Sequence, residues 1–159
     1  MTQLIDDLLL AQTRATVDGN WVEPLFPLLA DVSAADAFRK PSENERSIAE
    51  IVAHLAIWAE WVTGFLSGTD FDVEEWPATG PATAENWTAL KDRVTAAYTA
   101  MANAMRGLSV TDLEAQPVPE VTKMTRLQGI LSITMHAAYH TGQIVKLQER
   151  FAGKALETP

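Results

Sequence analysis

The chain has 159 residues, of which 47% are hydrophobic and 21% are charged, which is the composition of one globular domain with a single core. Its formal net charge of −9 argues against sequence-independent binding to nucleic acids or anionic membranes, because both need clustered lysine and arginine. The absence of cysteine excludes disulfides, thiolate metal ligands and a cysteine nucleophile. These features favour an acidic protein that acts on a small-molecule substrate.

The sequence predicts no membrane segment. Its start, Met1 to Asp7, is acidic and lacks the basic residues of a signal peptide. The most apolar stretch, Ser47 to Leu66, is interrupted by charged and polar residues such as Glu60, so it predicts a buried helix and not a membrane span. Together with the absence of cysteine, which fits a reducing compartment, these observations predict a cytoplasmic protein.

Helical periodicity dominates the sequence, and no segment predicts a strand. Apolar residues at helical spacing predict a first helix over residues 2–17, ended by the turn-forming residues 18–20. The next segment starts at Trp21 and carries Pro24 and Pro27, which limit it to a short or kinked helix.

The second long helix follows a polar connection over residues 33–46. Ser47 is its predicted N-cap, and Glu50 stands three residues later, which is the pattern of a capping box. Apolar residues at helical spacing then continue until Gly68. The acidic, turn-rich residues 67–81 predict a long surface loop.

Two more long helices complete the pattern. Thr83 is the predicted cap of the third helix, and residues 127–151 form the fourth. Four amphipathic helices can bury their apolar stripes only against one another, which predicts an all-α four-helix bundle. We expect this domain to span residues 1–153, followed by a short C-terminal tail at residues 154–159.

The three histidines of the chain are His54, His136 and His140, and all lie in apolar helical stretches. His136 and His140 are four residues apart and therefore share one face of the fourth helix, whereas His54 lies on the second. Together they can supply three of the four ligands of a tetrahedral metal ion and leave one position open, as in catalytic sites. The alternative interpretations are that His54 is a hydrogen-bonded core residue and that His136 and His140 lie on a partly exposed helix face without binding a metal.

Five neighbours of the histidines are candidates for lining or supporting such a site. Glu50 could accept the second imidazole proton of the second-helix histidine, although the capping box explains it and is the preferred interpretation. Trp58 and Trp61 could wall a pocket, and Tyr139 and Gln143 could orient a ligand or water. Core packing of the two tryptophans, and packing or capping by Tyr139, are the simpler interpretations.

The last helix carries His136-Ala137-Ala138-Tyr139-His140-Thr141-Gly142-Gln143-Ile144, and the second carries His54-x-x-x-Trp58 after the helix start at residues 47–55. These elements resemble the DinB-like superfamily, and the resemblance extends from the first helix to Gly153. It implies an up-down four-helix bundle in which a divalent metal is held by three histidines, which correspond here to His54, His136 and His140. It also implies a homodimer, for which the five tryptophans of the chain are a further argument.

Members of this superfamily with an assigned function are mostly transferases or isomerases that use low-molecular-weight thiols such as mycothiol or bacillithiol. The resemblance therefore implies a metal-dependent thiol S-transferase, in which an open metal position activates a thiol cosubstrate, or water in a related hydrolase. Zinc is the most available metal for three imidazoles, and nickel or iron(II) also suit them. The alternative is a non-catalytic, divalent-metal-binding stress-response protein. A closed four-ligand site would favour this alternative, whereas a large pocket beside the metal would favour the enzyme.

Overall fold

The computed structural model describes residues 3–19, 23–70 and 72–153. Within these ranges every regular element is helical, so the all-α prediction is confirmed. Trp21, the turn residue Asn20 and the predicted tail at residues 154–159 lie outside the described residues. The helices are α1 (Gln3–Thr13), continued by a π-helical turn (Arg14–Asp18), α2 (Leu25–Ala30), α3 (Ala34–Phe38), α4 (Ile48–Leu66), α5 (Ala84–Arg106), α6 (Val110–Glu114) and α7 (Arg126–Phe151).

Side-chain caps determine where the two histidine-bearing helices begin. Ser47 and Glu50 form the predicted capping box of α4, in which the Ser47 N–H donates to the Glu50 carboxylate at 2.8 Å. Thr83 caps α5 as predicted. Thr125 begins α7 through a second capping box with Gln128, which sequence reasoning did not identify. The capping boxes of α4 and α7 fix the first residue of each helix, and with it the number of turns between the helix start and its histidines.

The short helix α3 lies in the connection over residues 33–46, which was predicted only to be polar. Ser33 caps it, because the Asp36 N–H donates to the Ser33 hydroxyl at 3.1 Å. Ala37 is fully buried and attaches α3 to the core. A serine three residues before an aspartate was the local signal for this helix.

Helix α4 is the centre of the core and packs against both α5 and α7. It is long and apolar enough to cross a membrane by length and composition, yet 61% of its apolar window is buried inside the fold. Such burial agrees with the core helix that the sequence predicted. On α5, all six residues of the apolar stripe are buried: Trp87, Leu90, Val94, Tyr98, Met101 and Met105.

Helices α4 and α7 run antiparallel. At one end, the Arg126 side chain at the start of α7 donates to the carbonyl oxygen of Leu66, the last residue of α4, at 2.7 Å. At the other end, Arg150 near the end of α7 pairs with Glu45, just before α4, at 2.7 Å. The histidines of the two helices therefore meet between these ends. The up-down order of all four long helices stays a prediction.

Candidate metal centre

The structure brings the three histidines together. His54 Nε2 and His140 Nε2 lie 2.9 Å and 3.0 Å from His136 Nε2. One ring nitrogen from each residue lies within 4.8 Å of the other two. Around a tetrahedral zinc ion with bonds of about 2.1 Å, ligand atoms stand about 3.4 Å apart, so the two short distances to His136 Nε2 need to lengthen by only a few tenths of an ångström.

Two carbonyl oxygens determine the tautomers of the outer histidines. His54 Nδ1 lies 2.5 Å from the backbone oxygen of Glu75, and His140 Nδ1 lies 2.7 Å from the side-chain oxygen of Gln143. A carbonyl oxygen only accepts, so each Nδ1 carries the proton and each Nε2 offers a lone pair to the centre. The Gln143 amide in turn donates to the Tyr139 hydroxyl at 2.9 Å. Gln143 therefore orients the His140 ring directly, and Tyr139 does so through Gln143.

These tautomers leave His136 Nε2 facing two lone pairs. A proton on that nitrogen can be donated well to only one of its neighbours, whereas a cation at the centre would satisfy all three nitrogens at once. The donor set of three imidazoles therefore fits a divalent transition metal.

The electrostatic surroundings of His136 and His140 keep these two rings neutral. Burial lowers the pKa of His136 to about 4, and charge repulsion from His140 and His54 contributes to the shift. Burial also lowers the pKa of His140, although the hydrogen bond to Gln143 opposes it. At neutral pH the lone pairs of both rings are available to a cation.

Glu50 does not serve as the hydrogen-bond partner of the α4 histidine, so this suggested role is wrong. Its carboxylate accepts from Ser47, Lys40 at 3.1 Å and Arg46 at 3.2 Å, which confirms the preferred capping interpretation. Burial alone would raise the pKa of Glu50, but these hydrogen bonds lower it below its ordinary value. In a capping box the glutamate side chain folds back towards the N-cap residue. The partner of His54 Nδ1 is instead the backbone carbonyl of Glu75.

Sequence reasoning missed Glu75 and Trp76, which belong to the loop between α4 and α5. The Trp76 ring stacks on His54, with centroids 4.1 Å apart and an interplanar angle of 12°. The Arg46 guanidinium lies over the same indole, 4.4 Å from the ring centroid. A tryptophan within an otherwise acidic loop was the one signal for this contact.

A cavity of about 860 Å³ opens onto the three histidines. Of the predicted neighbours, Trp58, Tyr139 and Gln143 line it. Trp61 does not: it lies along a second cavity of about 300 Å³, together with Trp58 and His136. The larger volume lies in the range of small-molecule sites, so it has room for a substrate beside the imidazoles.

A sequence model of the DinB superfamily matches residues 20–144, a range that includes all three histidines. The protein belongs to the DinB superfamily. A crystal structure described as the conserved protein of locus from Enterococcus faecalis is similar, with a TM-score of 0.64 and 19% identity over 97% of this chain and 98% of that chain. At this identity the similarity shows a shared fold. No curated protein matches the sequence.

Membership of the DinB superfamily confirms the resemblance seen in the sequence. In this DinB-superfamily chain, three histidines from α4 and α7 form a possible divalent-metal site. In the described residues the cluster contains no carboxylate, so a bound cation would keep its full positive charge.

Proposed function

We propose that this protein is a divalent-metal-dependent transferase that joins a low-molecular-weight thiol to an electrophile. The observation that carries the proposal is the cavity of about 860 Å³ that opens onto the three imidazoles, because a closed four-ligand site would leave no room for substrates. In the described residues no fourth histidine or carboxylate joins the cluster. Zinc is the best-suited metal, and nickel or iron(II) would fit the same ligands.

A bound divalent metal would supply a Lewis acid that lowers the pKa of a thiol, so that the thiolate forms at neutral pH. The three histidines would hold this metal as neutral ligands, and Gln143 and Glu75 keep His140 and His54 in the ligating tautomer. The thiol proton would pass to solvent, and the sulfur would attack an electrophilic carbon. A carbon–sulfur bond would form while the leaving group departs with its electron pair. The nucleophile comes from the cosubstrate, which suits a chain without cysteine.

Zinc-loaded protein is expected to consume a thiol such as mycothiol or bacillithiol when a panel of alkylating electrophiles is supplied. The measurement is the loss of free thiol over time, with chelator-treated protein as the control. Consumption of the electrophile without thiol would instead indicate a hydrolase that activates water. Metal-loaded protein that consumes neither compound would contradict the transferase and support a non-catalytic, metal-binding stress-response protein. Use of an intracellular thiol would place the reaction in the cytoplasm.

We also propose that the protein is a homodimer, in which α7 carries part of the interface. Leu131, Met135 and Tyr139 are 44%, 69% and 63% exposed, and their spacing of four residues places them on one face of α7. A contiguous exposed apolar stripe of this kind favours association.

Light scattering is expected to give twice the chain mass of 17.4 kDa. Met135→Lys should shift the mass towards that of the monomer, because it places a charge in the apolar stripe. Val121→Lys is the matched control, since Val121 is 59% exposed but lies outside α7. A wild-type mass of 17.4 kDa at micromolar concentration would contradict the dimer.

A further inference from the structure

We propose that Glu75 and Trp76 are positioning residues of the metal centre. In this arrangement the stack of Trp76 on His54 holds the Glu75 carbonyl against the imidazole, and this contact keeps His54 Nε2 available to a metal. The inference rests on the proposed metal site, and it assigns a role to a loop that contributes no ligand of its own. We call residues 75–76 the strap.

The two contacts of the strap restrict two different properties of the His54 ring: its tautomer and its orientation. The hydrogen bond from Nδ1 to the Glu75 oxygen determines which nitrogen carries the proton. The Trp76 stack, at 4.1 Å and 12°, restricts the plane of the ring. A flip of the imidazole would break the hydrogen bond and turn a carbon towards the centre. Together the contacts therefore hold His54 in the one orientation that presents Nε2.

The strap is anchored to the start of α4 by a charged side chain. Arg46 lies over the Trp76 indole at 4.4 Å and also donates to Glu50 at 3.2 Å. Glu50 is held in turn by its capping bonds with Ser47. The Glu50 carboxylate thus supports His54 indirectly, through Arg46 and Trp76.

The described part of the loop has its other side-chain hydrogen bonds near its two ends. Asp70 accepts from the Trp61 indole at 2.9 Å, and the carbonyl of Thr79 accepts from Asn86. Between these points, one described hydrogen bond joins residues 72–78 to a helix. It is the bond between His54 Nδ1 and the carbonyl oxygen of Glu75. The position of the strap and the orientation of His54 are therefore coupled.

The test compares zinc affinity and histidine tautomer in wild-type protein and three variants. Trp76→Leu removes the stack but keeps an apolar side chain, and Trp76→Phe restores an aromatic ring. Phe151→Leu is the matched control, because it removes a ring beneath Arg39 at 4.5 Å in a contact that involves no histidine. Zinc affinity is measured by competition with a chelator. The tautomer is measured by imidazole-nitrogen NMR of metal-free, histidine-labelled protein at neutral pH.

Trp76→Leu is expected to lose about 10–100-fold in zinc affinity, as is usual when the support of a ligand histidine is removed. In the metal-free variant, the His54 proton is expected to distribute between the two nitrogens. Trp76→Phe should restore most of the affinity, and Phe151→Leu should behave as wild type. Circular dichroism shows whether each variant keeps its helices.

Three results would overturn the inference. The first is a wild-type protein whose metal-free His54 carries its proton on Nε2, and this measurement needs no variant. The second is Trp76→Leu protein that binds zinc as tightly as wild type. The third is Trp76→Leu protein that loses affinity while the His54 tautomer is unchanged. Wild-type protein that binds none of zinc, nickel and iron(II) would refute the proposed function instead, and the NMR measurement would still decide whether the strap determines the His54 tautomer.

Discussion

Replacement of His140 by alanine should greatly weaken metal binding and abolish thiol transfer while the protein stays folded. Among the described residues, His140 is one of the three histidines of the proposed site, and its Nε2 lies 3.0 Å from that of His136. Removal of a supporting residue already costs about 10–100-fold in metal affinity, so removal of a ligand should cost on the order of 100-fold or more. The apolar residues that pack α7 into the core, such as Ile133 and Ile144, remain in place.

The measurements are the metal content of purified protein, thiol turnover and the helical circular dichroism spectrum. Val145→Ala is the control on the same helix, because Val145 is half-buried and lines neither of the two cavities beside the histidines. If His140→Ala protein retained full turnover, the three-histidine centre would not be the site of the reaction. If it lost its helical spectrum, His140 would have to contribute to folding as well.

Local patterns in the sequence predicted most of the fold. The apolar stripe of α5 repeats with helical spacing, and burial on one helix face requires that spacing, so all six residues are found in the core. The capping boxes of α4 and α7 are equally local, although only the first was identified from the sequence. The short helix α3 was missed because a single turn carries too few residues to show a period.

The site was predictable where helix geometry determines it. Two histidines four residues apart must share a face, so His136 and His140 could be paired from their spacing alone. The strap could not be found in this way, because a loop conformation depends on contacts between distant parts of the chain. Glu75 accepts from a residue 21 positions earlier in the sequence, and no local pattern encodes that contact.

Blocking the cavity should separate metal binding from catalysis. Gly142 lies on α7 and lines the large cavity, and among the described residues a Cβ built on it meets no atom within 4 Å. Gly142→Trp should therefore be tolerated by the helix and place an indole where the substrates would bind. We expect unchanged zinc affinity, because all three ligands remain, and a fall in thiol turnover on the order of tenfold or more, because displaced reactants lose their alignment.

Gly142→Ala is the matched control, because it adds a methyl group that leaves the cavity open. It should keep full turnover and raise the free energy of unfolding by about 0.5–1 kcal/mol, since alanine is favoured over glycine within a helix. Urea denaturation measures this gain. Equal turnover in the tryptophan and alanine variants would mean that substrates do not use this cavity. Loss of zinc binding in the tryptophan variant alone would mean that the indole disturbs the imidazoles, and a smaller side chain such as Gly142→Leu would then separate the two effects.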